Sequence, residues 1–187
     1  TEDLIHMNIE FLPLKIYDNI IEENALRIDW NDVIKSTKCN YVIGNPPFVG
    51  AMLMSREQKQ EMSNIFENSP GFGEMDYVSA WYKIASNYMI NTSIQSAFVS
   101  TNSISQGQQV ALLWKKLFDL GIKINFAHRT FRWDSEANLK AHVHCVIIGF
   151  SYQDKETKYI YESNTYKKVK NINAYITDAP NIFIVNR

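Results

Sequence analysis

Cysteine, glycine and net charge are all scarce in this chain, and each shortage excludes something. Two cysteines among 187 residues, Cys39 and Cys145, cannot build a disulfide framework, which points to a reducing cytoplasm. Nineteen Lys and Arg against twenty Asp and Glu leave a net charge of −1, so the overall basic footprint of a free-standing nucleic-acid binder is missing. A catalytic module whose grip on nucleic acid comes from another domain is still compatible with that balance. No apolar run approaches the length of a membrane span, and Thr1-Glu2-Asp3-Leu4 lacks the basic and apolar regions of a signal peptide. There is no Gly-x-Ser-x-Gly elbow, which removes the commonest serine-hydrolase arrangement. His142 and His144 alternate onto one strand face, but two imidazoles without Cys or carboxylate at ligand spacing predict strand packing and no metal site.

What is present suits one domain with an ordinary core: 45% of the residues are apolar and 13% aromatic. Ala25-Leu26-Arg27-Ile28 reads as a short strand ending at Asp29-Trp30, and Tyr41-Val42-Ile43 as a buried strand bounded by Gly44. Ser55 followed three residues later by Gln58 is a capping box opening a helix to Phe66. Asp76 can cap a second helix whose Tyr77, Val78, Trp81, Ile84, Ala85, Tyr88 and Met89 recur at helical spacing. Ala97-Phe98-Val99 is the next strand. A third helix spans 108–120, with Gly121 as its C′ residue. Strands follow over 122–126 and, long and mostly apolar, over 142–150. Strands alternating with helices predict a mainly parallel sheet, whose chemistry gathers at the carboxyl ends of its strands. Asp29, Asn45, Thr101, Asn102 and His128 all fall at such ends.

The most specific stretch is Gly44-Asn45-Pro46-Pro47-Phe48. Each proline fixes its own φ near −65° and carries no amide hydrogen, and Pro46 pushes Asn45 into an extended conformation. The product is a stiff strand-end loop that presents a side-chain amide, bare carbonyl oxygens and an aromatic ring. A planar amino group needs two such acceptors and a stacking surface if it is to be held for alkylation.

In this the sequence resembles an amino-group, adenine-specific DNA methyltransferase of the class I S-adenosylmethionine-dependent, Rossmann-like fold. More narrowly, it is similar to the methyltransferase region of the MmeI-like (type IIL/IIG) restriction-modification enzymes. The matching stretches run in the family's order: Ala25 to Trp30, Asn45 to Gly50, Asp76-Tyr77, Phe98 to Ile104, Ala127 to Glu136 and Val143 to Phe150. The resemblance implies that Asn45, through its amide, and Pro46, through its carbonyl, accept hydrogen bonds from the exocyclic amine of a flipped-out adenine in double-stranded DNA. Pro47 stiffens the same motif and Phe48 stacks on the base. Phe131, in the loop before the long strand, matches the aromatic that packs the base's other face, with Trp133 as a competitor for that role. Asp29, sixteen residues before Asn45, matches the carboxylate that binds the adenine amino group of S-adenosylmethionine, and Trp30 lies against that ring. The transfer is direct and calls for no metal.

One departure is as informative as the match. Such enzymes carry a Phe-x-Gly-x-Gly-like loop after their first strand, whereas here the single Gly-x-Gly, Gly71-Phe72-Gly73, lies downstream of Asn45. The chain is therefore expected to be a piece of a larger enzyme and inactive alone. Residues 1–24 lead into the third strand of the family's sheet, 25–152 form the catalytic part with one antiparallel strand (142–150), and 153–187 exit toward a target-recognition region. Two alternatives remain open. Related Asn-Pro-Pro-aromatic motifs serve methyltransferases of the same fold that act on RNA bases or a protein glutamine amide, and a degenerate, inactive scaffold is the third reading.

Overall fold

The structure is a computed structural model that describes residues 20–133 and 143–183. Six strands form one sheet in the order β1-β2-β4-β3-β5-β6, with β1 at Tyr41–Gly44, β2 at Gln95–Thr101, β3 at Lys123–Trp133, β4 at Val143–Ser151, β5 at Lys158–Glu162 and β6 at Thr165–Val169. β1 pairs with β2, and β3 with β5, in parallel; β4 runs antiparallel to both its neighbours, β2 and β3. The antiparallel course expected of the long apolar strand is thus observed. The sheet is mixed: β1, β2, β3 and β5 share one direction, and the β5–β6 hairpin adds a second antiparallel strand at the far side.

One face of the sheet makes the core. Along β2 the buried residues are Ser96, Phe98 and Ser100, alternating with half-buried ones, as the two-residue period of a strand requires. Helix α3 (Ser79–Tyr88) lies on that face. Tyr82 packs at 5.2 Å from Phe98, 5.5 Å from Trp114 and 5.1 Å from Phe150, ring centre to ring centre. Trp114 belongs to a further helix, α4 (residues 107–119), which widens to π-type turns in its middle; Gly121, at φ +99°, ends it as expected. Aromatic pairs of this kind add roughly 0.5–1.5 kcal/mol each beyond the area they bury. Helix α2 (Arg56–Ile65) begins with the anticipated capping box: Ser55 accepts the Gln58 N–H, and Gln58 accepts the Ser55 N–H.

Three sequence expectations are corrected. Residues 25–28 form a turn and not a strand: the Arg27 and Ile28 N–H groups close on the Asn24 carbonyl, and Leu26 N–H on the Asn24 side chain. Among the described residues β1 is an edge strand and is not buried: Tyr41 is 68% and Ile43 80% exposed, and Val42 is the residue it turns onto the core. Residues 158–169, read as part of an exit segment, are two strands of the sheet. His142 and the 134–136 end of the matched stretch lie outside the described residues.

Candidate active site

Two short segments and the strand ends beside them carry the candidate site residues. The first is the turn over 24–29. Asp29 caps a four-residue helix, α1 (Trp30–Val33), by accepting the backbone N–H of Asn31 at 2.9 Å and its side-chain amide at 3.1 Å, both on Oδ1. Those two bonds hold the exposed carboxyl below its usual range, so it is ionised, and its second oxygen keeps acceptor capacity. Trp30 is fixed beside it: the indole N–H donates to the Ala25 carbonyl at 2.8 Å, and the ring meets Tyr88 edge-on at 5.6 Å. Asp29, Trp30, Ile28, Ile65 and Tyr88 line an open cleft of about 420 Å3.

The second segment is the loop after β1. Asn45 is exposed one residue beyond the strand, Pro46 is buried beneath it, Pro47 is exposed and Phe48 half-buried. Asn45 is thus an exposed residue directly followed by a buried one, on a loop anchored through Pro46. Behind the loop, the Tyr77 N–H donates to the Val49 carbonyl at 2.9 Å. Asp76, buried, accepts the hydroxyls of Thr101 (3.0 Å) and Ser103 on one oxygen, while its N–H donates to the Gln109 side chain at 3.0 Å. The expected capping by Asp76 is corrected: the N-cap of α3 is Val78, with no side-chain cap, and the Asp76 carboxylate serves the end of β2 while its carbonyl takes the Ser79 N–H in the preceding turn at 2.9 Å.

Register places the remaining residues. β1 and β2 run together, so Asn45, Thr101 and Asn102 leave the sheet at the same end of its strands. Thr101 is opposite Cys145, and Cys145 opposite Phe131, which brings Phe131 to that end, near the close of β3. Phe131 is thus a strand residue, not a loop residue, beyond a register shift between His128 and Phe131. Its ring meets His128 at 5.0 Å and Trp133 at 6.3 Å. Neither Phe48 nor Phe131 packs against the described core, whereas Trp30 does. Among the described residues no three His, Cys, Asp or Glu side chains gather as metal ligands, and no helix is long and apolar enough to cross a membrane.

Sequence reasoning missed Glu61 and understated Tyr77. Glu61 is a buried carboxylate on α2 that joins the turn over 24–27 to the Tyr77 hydroxyl. Tyr77, expected as plain core, also carries the hydrogen bond to Val49.

Known proteins resemble this chain over most of its length. The family model described as the MmeI DNA-methyltransferase domain matches residues 2–162. DNA methyltransferase A of Bacillus subtilis (strain 168) is 41% identical over 179 residues, which cover 94% of this chain and 20% of that protein. The type IIL restriction-modification enzyme MmeI, solved in complex with DNA, superposes with a TM-score of 0.88 at 48% identity, covering 94% of this chain and 24% of that one. The chain spans a quarter or less of the length of these relatives.

Proposed function

Because the chain belongs to the MmeI DNA-methyltransferase domain family, we propose that it is the catalytic part of an enzyme that moves a methyl group from S-adenosylmethionine to the exocyclic amine of adenine in double-stranded DNA, within a restriction-modification protein. The observation that carries this reading is the seating of Asn45: an exposed residue on a proline-stiffened loop that is anchored through buried Pro46 and tied to Tyr77.

S-adenosylmethionine supplies an electrophilic methyl group on a sulfonium. The residues lining the 420 Å3 cleft fit its adenine end, with an ionised acceptor at Asp29, an indole at Trp30 and an apolar wall at Ile28 and Ile65. An adenine amine is a poor nucleophile because its lone pair is delocalised into the ring. Held between the Asn45 side-chain oxygen and the Pro46 carbonyl, it would be turned out of conjugation; as the N–C bond forms and the methyl–sulfur bond breaks to leave a neutral thioether, the two preset acceptors would stabilise the positive charge on nitrogen until the amine loses one proton to solvent. Proximity supplies the rest. Withdrawing the base from the duplex costs a few kcal/mol, offset by stacking on Phe48 and Phe131. DNA grip and sequence choice then fall mainly to regions outside this chain, consistent with its net charge of −1.

The test is Asn45→Ala in the intact protein to which this segment belongs. Transfer of labelled methyl to DNA should vanish while DNA binding by gel shift stays within a few-fold. Unchanged turnover would remove Asn45 from the chemistry, and label on RNA or protein in place of DNA would replace the substrate.

A further inference from the structure

The proposed cofactor side and the proposed catalytic loop are contributed by different segments, and among the described residues a traceable polar connection between them passes through one carboxylate. Glu61, whose side chain is 8% exposed, accepts the Asn24 amide at 2.8 Å and the Arg27 guanidinium Nε at 2.6 Å on Oε1. Its other oxygen, Oε2, accepts the Tyr77 hydroxyl. Tyr77 in turn donates its N–H to Val49, the residue after Phe48. On the opposite side, the turn that leads to Asp29 is wound around Asn24, whose side-chain oxygen takes the Leu26 N–H at 2.9 Å.

We propose that Glu61 is a positioning residue for methyl transfer, fixing the turn that presents Asp29 against the loop that presents Asn45 and Pro46, by way of Asn24 and Arg27 on one side and Tyr77 on the other. The proposal rests on the function argued above and names a device for it. Stability alone gives little reason for a buried carboxylate here, because an apolar side chain of similar volume commonly packs as well or better. What a carboxylate adds is direction: two oxygens, each bound to a different segment, define a separation as well as a contact. Direct transfer is sensitive to that separation, since a misplacement of about 1 Å costs on the order of a hundredfold in rate. Tyr77 is suited to the relay because its ring is independently held, edge-on to Trp81 at 5.1 Å.

Two variants of the intact protein test this. Tyr77→Phe removes one hydroxyl and keeps the ring. It should lower kcat with labelled S-adenosylmethionine and DNA by about tenfold to a hundredfold, the size of one charge-assisted hydrogen bond, while the Kd for S-adenosylmethionine, read by equilibrium binding, moves less than threefold. Glu61→Gln sets an amide donor against donors already in place, so it should lower kcat and also raise the S-adenosylmethionine KM. The double variant should be no slower than Glu61→Gln alone, because both break the same relay. Both single variants are assayed well below their unfolding midpoints. Wild-type kinetic constants in folded Tyr77→Phe and Glu61→Gln, with only the midpoints lowered, would reduce Glu61 to a structural residue and overturn the proposal. A wild-type protein that moves no label to DNA would remove the functional reading and this proposal together, whereas an active wild type with unaltered variants would remove the positioning role alone.

Discussion

The Asp76 carboxylate takes the Thr101 hydroxyl at 3.0 Å, fastening the segment behind the Asn-Pro-Pro-Phe loop to the carboxyl end of β2. Ser103 binds the same oxygen, and the two hydroxyls lie 2.7 Å apart, so one can still donate to the other if the carboxylate is lost. Asp76→Ala should accordingly cost about 1–3 kcal/mol, the range for losing hydrogen bonds to a charged group, and not more. Because the next residue holds Val49, methyl transfer by the intact protein should fall more steeply than its stability, by at least tenfold at a temperature where it remains folded. Denaturant titration beside a transfer assay reads both quantities. A stability loss with undiminished transfer would separate Asp76 from the loop's geometry.

Gly149 is a second position where a close approach decides the residue. The Phe126 ring crosses it from the neighbouring strand, and a Cβ built on Gly149 would lie 2.0 Å from that ring. Gly149→Ala must therefore displace Phe126, which is 36% exposed and has room to turn outward at the expense of its edge contact with Tyr161. A loss of about 1–3 kcal/mol is expected for such overpacking, seen as a lower urea midpoint with unchanged slope. An unaltered midpoint would mean that the ring is not fixed by the glycine.

Tyr82 gives the fold a pH dependence of definite sign. Burial pushes its phenol above the usual tyrosine range, opposed in part by the hydrogen bond with Ser100 at 2.8 Å. An unfolded tyrosine ionises near about pH 10, so between that value and the raised folded one the unfolded chain holds fewer protons. The contribution of Tyr82 is fully present below about pH 10 and is lost as pH rises beyond it. Unfolding midpoints should drop across this alkaline window in the wild type and drop less in Tyr82→Phe. Parallel curves for the two proteins would assign the alkaline loss to other groups.

Much of this fold is legible because its cues are local. The Ser55–Gln58 box and Gly121 sit within a turn of what they terminate, and the apolar run over 142–150 is long enough to identify a central strand. Cues that depend on distant partners fail. Three apolar residues at 41–43 look buried, yet nothing in them says that β1 is an edge. Lysines alternating with tyrosines over 158–169 look like a polar linker; only the sheet reveals that Lys158 is buried with its ammonium reaching Asp154 at 2.7 Å, while Tyr159 and Tyr161 line the other face. Ala25-Leu26-Arg27-Ile28 has strand-like composition, but the Asn24 bonds that fold it back override propensity. Of the candidate site, the place of Asn45 and Pro46 just beyond a strand is legible from the stereochemistry of the two prolines. Glu61 is not, since its partners lie 16, 34 and 37 residues away.

Under the proposed function, Phe131 and Trp133 are the two candidates for the second face of a flipped base, and their settings distinguish them. Trp133 is 47% exposed at the last position of β3, whereas Phe131 is half-buried, braced by His128 and level with Cys145 and Thr101. A stacking partner must already be held in place when the base arrives, because ordering a loose side chain subtracts from the energy gained. Phe131 meets that condition better. Base–aromatic stacking is worth about 1–3 kcal/mol by alanine substitution, so Phe131→Ala should weaken retention of an extrahelical base by roughly five- to a hundredfold. Trp133→Ala should change it less than threefold. Equilibrium binding of the intact protein to DNA carrying the target base, against the same DNA abasic at that position, measures retention as the ratio of the two affinities. An altered ratio confined to Trp133→Ala would hand the role to the tryptophan, and the braced phenylalanine would then be serving only the end of the strand.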